Sequence, residues 1–227
     1  MIGNHHTQTT RNPQWPGSRT VTAVSQRTSF PAVYFLDFGL FKANLAELPG
    51  VHSISVPPEI QRLVNTIADR RDIASAYFCG VHHCIPFISK KTCYEKFLNP
   101  SIQSRVDISL LFACMRLVQS PPIEDNARTA EYLALKVAFL EAELAGIVTL
   151  QLLQAWTLIA FYEMGHAIYP SAYLSIGTCA RYATALGLYA HESFDARMPY
   201  MEIEEKRRTW WVIVILDRYV RSGKFLC

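Results

Sequence analysis

The side chains in this 227-residue chain best suited to chemistry fall between positions 79 and 93: Cys79, His82, His83, Cys84 and Cys93. Thiolates and imidazoles are zinc ligands, but a structural site needs four of them converging in a tetrahedron, usually from two segments with paired short spacings. The C-x2-H and C-x4-C spacings fall on one predicted helix and match none of those patterns. Packing is the better reading. Cys79 and Cys84 are expected as small buried apolar residues, with the two histidines at the helix end near its negative dipole pole. No metal ligand is assigned.

Glu163 and His166 form the other pair with acid-base potential. A histidine with no nucleophile or second carboxylate nearby is more often a cap than a base, so a surface contact is expected. The chain has no H-E-x-x-H, no G-x-S-x-G and no glycine-rich phosphate loop, and only 10 glycines in all. No catalytic residue is assigned, and the chain is not expected to be an enzyme.

Charge narrows the partners. Lys and Arg number 22 against 19 Asp and Glu, and the first 30 residues hold Arg11, Arg19 and Arg27 with no acid. Beyond them, 19 basic residues face 19 acidic ones. A neutral body lacks the clustered cations that displace counterions from a nucleic-acid backbone, so no DNA-binding residue is assigned. The six cysteines show no paired spacing and no secretory h-region precedes them, which reads as free thiols in a reducing compartment. The longest apolar run, Trp210 to Leu216, is far short of the ~20 residues that span a bilayer, so no membrane partner is expected.

Half the residues are hydrophobic, ample for a core, and the periodicity is helical. Residues 1–28, polar and without period, read as a disordered tail. The aromatic segment FPAVYFLDFGLF reads as a clasp. After Pro57 and Pro58 a long helix is expected, breaking near Asp69 and burying Ile73, Tyr77, Val81 and Ile85 as one stripe. Ser89 should cap a short helix ending at Asn99-Pro100; further helices should run from about Arg105 to Gln119 and Ala127 to Leu144. Gly146 is placed as a left-handed stop, Thr149 as a cap, Pro170 in a first turn and Gly187 as the next stop. The fold class is all-α, a multi-helix array.

The helix from Glu202 onward carries the unbroken run Trp210 to Leu216, apolar on every face, and is expected in the interior. Arg181 and Asp217 each interrupt an apolar helical face and are expected in buried polar networks joining helices. Glu204 with Arg208, and Asp217 with Arg221, lie at i and i+4.

These residues resemble the regulatory domain of fungal transcription factors, the middle homology region of zinc-cluster activators. Tyr77, Phe78, His82 and Pro86 match its opening motif; Gln154, Tyr162, Glu163, Arg181 and Leu186-Gly187-Leu188 its central helix pair; Arg207, Arg208, Trp210, Trp211, Asp217 and Arg218 its E-x-R-R-x-W-W-x-x-x-x-L-D-R helix. Arg181, Gly187, Arg207, Arg208, Trp210, Trp211, Asp217 and Arg218 are taken as signature residues with a structural or regulatory role. The resemblance spans about residues 30 to 220, so the domain is placed at 29–227. Two departures stand out: no six-cysteine zinc module, and an end earlier than the family's further helices. Tyr189 also replaces a common histidine. The resemblance implies a nuclear regulator of RNA polymerase II transcription whose zinc and DNA contact lie in a module outside this sequence. Expected partners are a second copy or full-length relatives, and a small-molecule effector. The alternatives are a free-standing interaction or inhibitory module, or a truncated fragment.

Overall fold

The computed structural model describes residues 55–102, 104–120, 127–189 and 199–222. The expectations for the 1–28 tail and the aromatic clasp fall outside these residues. Among the described residues the chain is helical without strands, an all-α fold.

The expected break near Asp69 is present and makes two helices. α1 (Pro58–Leu63) opens on its prolines and stops at Val64. α2 (Ile67–Cys79) begins with a reciprocal cap: the Asp69 N–H donates to Thr66 Oγ1, and the Thr66 N–H to Asp69 Oδ2, each at 3.0 Å. The break therefore precedes Asp69, whose carboxylate satisfies one of the orphan donors of the new helix. Because α2 ends at Cys79, helical periodicity does not carry on to Val81 and Ile85. Its buried face is Arg70, Ala74, Tyr77 and Phe78; of the predicted stripe Tyr77 is buried, while Ile73, Val81 and Ile85 pack half-buried against the core.

After a 3-10 turn at Val81–His83, Ser89 caps α3 (Lys90–Thr92), its hydroxyl accepting from the Thr92 N–H. α3 widens without interruption into a π-helical segment, Cys93–Phe97, and stops before Pro100 as expected. α4 (Val106–Leu117) is the true interior helix: 11 of its 12 residues are buried, and α1, α2, α5 and α6 surround it. α5 (Ala130–Leu144) starts at the Thr129 cap, and Gly146 follows it at φ +69°, the left-handed conformation expected of it. α6 (Leu150–Gly165) is capped by Thr149 and packs on α4, α7 and α8. α7 (Ser171–Ala185) follows Pro170, which sits at the cap and not inside the first turn, and Gly187 (φ +69°) closes it.

α8 (Tyr200–Ser222) corrects a prediction. It lies across α6 and α7 and buries one face only: Glu205, Thr209, Ile213 and Leu216. Trp211 is 57% and Ile215 49% exposed. An unbroken apolar run does place side chains around the whole helix, but among the described residues α8 meets neighbours on one side.

Candidate functional site

One buried carboxylate ties α8 to two other parts of the molecule, beside the exposed Lys96–Glu202 pair and the packing of Ile213 and Leu216. Glu205, 4% exposed, accepts from the Gln154 Nε2 of α6 at 3.0 Å and from the Ser89 backbone N–H at 3.1 Å. Thr209, one turn later, donates to the Glu205 carbonyl and lies 3.5 Å from Gln154 Nε2. A carboxylate out of water costs several kcal/mol unless hydrogen bonds replace its hydration. Here two donors from separate parts of the fold converge on one oxygen.

The same junction walls a cavity of about 320 Å3, lined by His82, Phe87, Ile88, Lys90, Glu204, Glu205 and Arg208 among others. Glu204 holds Arg208 at 2.8 Å, the predicted i, i+4 pair, and reaches Arg207 at 3.7 Å. His82 packs edge-on against Phe78 and Tyr77. Burial, then the nearby charge of His83, Arg208 and Lys90, lowers its pKa below the ordinary 6.5. Its Nδ1 is buried without a hydrogen-bond partner. Residues 82, 154 and 205, far apart in sequence, thus share one corner of the fold.

This corner offers binding and positioning. The Glu205 carboxylate is engaged by two donors. Cys93 behind it is fully buried, and its thiol is pushed up to about 12 by burial and by the negative charge of Glu205, so it has no thiolate character. Among the described residues no group of three His, Cys, Asp or Glu side chains is arranged to hold a metal. Cys79 and Cys84, expected buried, are both exposed: α2 ends at Cys79, and the turn that follows lies at the surface.

The signature residues divide. Gly187 takes the left-handed turn expected of it. Trp210 is half-buried, while Trp211, Arg208 and Arg218 face outward. Arg181 is exposed, and Asp217 pairs with Arg221 of its own helix at 3.0 Å, so neither joins the predicted buried network. Both line a shallow cleft between α7 and α8, where water solvates their charge. The buried networks form instead around residues the sequence did not single out for that role.

Glu163, expected at the surface with His166, is fully buried. It accepts from Tyr132 Oη at 2.7 Å and Lys136 Nζ at 3.0 Å; Lys136 also reaches Ser175 Oγ at 2.9 Å and lies over the Trp156 ring. α5, α6 and α7 are tied together there. Burial, then the bond to Glu163, pushes the Tyr132 phenol up to about 12. His166 bonds the Tyr162 carbonyl through Nδ1 and stacks on that ring, as a cap does. Asp107, also fully buried, accepts from Arg105, from its neighbour's N–H and from Thr149 Oγ1, joining α4 to the start of α6. The available signal was an acid inside an otherwise apolar helix, RVDISLLFACM.

Residues 74–222, more than half the chain, match the fungal specific transcription factor domain. The chain belongs to that family. Its helices α4 to α8 and all three motifs lie within the matched span. Transcription factor BOA15 of Botryotinia fuckeliana is 41% identical over 50% of this chain and 64% of its own length. The pigment biosynthesis transcriptional activator pigB of Monascus ruber is 27% identical over 77% of this chain and 35% of its own. The citrinin biosynthesis transcriptional activator mrl3 of the same species is 31% identical over 48% and 21%. The chain therefore spans under two thirds of each of these relatives. No solved structure matches it.

Proposed function

We propose that this fungal transcription factor domain is the regulatory part of a nuclear regulator of RNA polymerase II transcription, supplying control and association without catalysis. Its zinc and DNA contact belong to another module. The names of its relatives, activators of pigment and citrinin biosynthesis, extend the proposal to a set of biosynthetic genes. The neutral charge of the sequence beyond its first 30 residues supports DNA contact made elsewhere.

The observation that carries the proposal is the three-way bond at Glu205. It couples the position of α8 to the His82 corner and to the core helix α6 through one group. A small effector entering the adjoining cavity, or a bound copy or relative, would bias α8 by competing for or completing those bonds. Fusing the whole chain to an unrelated DNA-binding domain tests this in fungal cells. Reporter output should differ from that of the DNA-binding domain alone and should shift with Glu205→Gln. Output identical to the DNA-binding domain alone would defeat the proposal.

A further inference from the structure

We propose that the cavity between α8 and residues 82–91 binds a small monocarboxylic acid with an apolar body of about ten carbon atoms. The proposal rests on the reading of this cavity as the entry point of a small effector, and it adds the chemistry of the ligand. The volume of about 320 Å3 lies at the small end of natural ligand sites. Phe87 and Ile88, both core residues, line it from one side. From α8 it is lined by Tyr200 and Met201, large side chains left exposed. An apolar ligand body laid over these two removes them from water, which drives binding.

Charge selects the head group. Lys90, Lys91 and Arg208 line the cavity together with Glu204 and Glu205, three cations against two carboxylates. Both carboxylates are engaged within the protein: Glu204 holds Arg208 at 2.8 Å, and Glu205 accepts from Gln154 Nε2 and the Ser89 N–H. Lys90 has the Phe78 ring, its Nζ 5.9 Å from the centroid, and among the described residues neither lysine is in an ion pair. Two adjacent ammonium groups without counter-ions beside an apolar cavity fit a carboxylate. The lysines repel a cation, and Glu204 and Glu205 disfavour a dianion such as a phosphate monoester. His82 adds a polar ring without a charge at neutral pH, since burial and nearby charges hold its pKa below 6.5.

The position of the lysines gives the site its consequence. Lys90 directly follows Ser89, whose N–H binds Glu205, so a carboxylate held by Lys90 and Lys91 bears on the backbone that anchors α8. With its body against Tyr200 and Met201, the ligand fastens α8 to residues 82–91 and stabilises the docked helix by mass action.

Phenylbutyrate is the probe, with phenylbutyramide as its neutral counterpart and phenylbutyl phosphate as the dianion. Calorimetric titration of the full chain should show saturable phenylbutyrate binding with a dissociation constant on the order of 100 μM, and binding of the other two at least ~10-fold weaker. Lys90→Gln combined with Lys91→Gln, at two exposed positions, should weaken phenylbutyrate about 10-fold. The amide's affinity and the melting of the free chain should not change. Met201→Trp, which narrows the cavity from an exposed position, should weaken acid and amide alike. No saturable binding up to ~2 mM, equal affinity for acid and amide, tighter binding of the phosphate ester, or indifference to these substitutions overturns the proposal. The reporter assay fails separately. Absent phenylbutyrate binding with the Glu205→Gln reporter shift intact defeats the ligand alone; binding with an indifferent reporter upholds the ligand and defeats the transcriptional reading.

Discussion

Gln154 and Glu205 lie 51 positions apart and meet at 3.0 Å, amide to carboxylate, with both side chains buried. The contact fixes α8 to α6 where the helices cross, and the Ser89 N–H on the same oxygen adds the segment before α3. Truncating the acid leaves two buried donors unsatisfied. Glu205→Ala should lower unfolding free energy by about 2–4 kcal/mol, and Glu205→Gln, which keeps an acceptor, by about half that. Urea denaturation reads both, and a loss below ~1 kcal/mol for the alanine variant would contradict the role given to the carboxylate.

The Thr149 hydroxyl does two things at once: it accepts from the Leu152 N–H at the start of α6 and donates to buried Asp107 at 2.9 Å. Thr149→Ala removes both and should cost about 1–3 kcal/mol, while Thr149→Ser keeps both and should cost under ~1 kcal/mol. Equal melting of the two variants would show that the hydroxyl does neither.

Acid should weaken the fold through His82. In the unfolded chain this imidazole takes a proton as pH falls through 6.5; in the folded chain burial delays that to lower pH. Between the two values the unfolded state binds more protons, so stability is full above 6.5, declines on acidification and levels off below the folded value. Thermal melts from neutral pH to about 5.5 should show a steeper decline for the native chain than for His82→Gln. Parallel curves would exclude this contribution.

The one-sided burial of α8 is tested by two neighbours in sequence. Ile213→Ala empties a core position, 1% exposed, and should cost about 2–4 kcal/mol. Trp211→Ala, at a 57% exposed site, should change stability by less than ~0.5 kcal/mol. Similar losses for both would restore the fully interior helix.

Helix boundaries were legible because their chemistry is local. Ser89 and Thr149 each accept from an N–H three residues on, and Gly146 and Gly187 take the left-handed turn at helix ends, all within a few residues of the chain. The α1–α2 break, expected near Asp69, was also written locally, in Asn65, Thr66 and Asp69. Periodicity reports which faces of a helix are apolar. It does not report whether another element arrives to cover them, so α8 reads as interior although, among the described residues, one side alone meets a neighbour.

By itself the sequence determined the all-α class, most helix ends and the three motifs that place the chain in its family, since these depend on residue type and spacing along one strand of covalent chain. Which charges are buried was decided only by the tertiary structure. Arg181 and Asp217 interrupt apolar stretches yet face an open cleft; Glu163, the lone charge of α6, and Glu205, in the charged first half of α8, are enclosed because α5, α6, α7 and α8 close over them. The burial cost of a charge is a property of what surrounds it in three dimensions, and a linear pattern carries the charge without its surroundings.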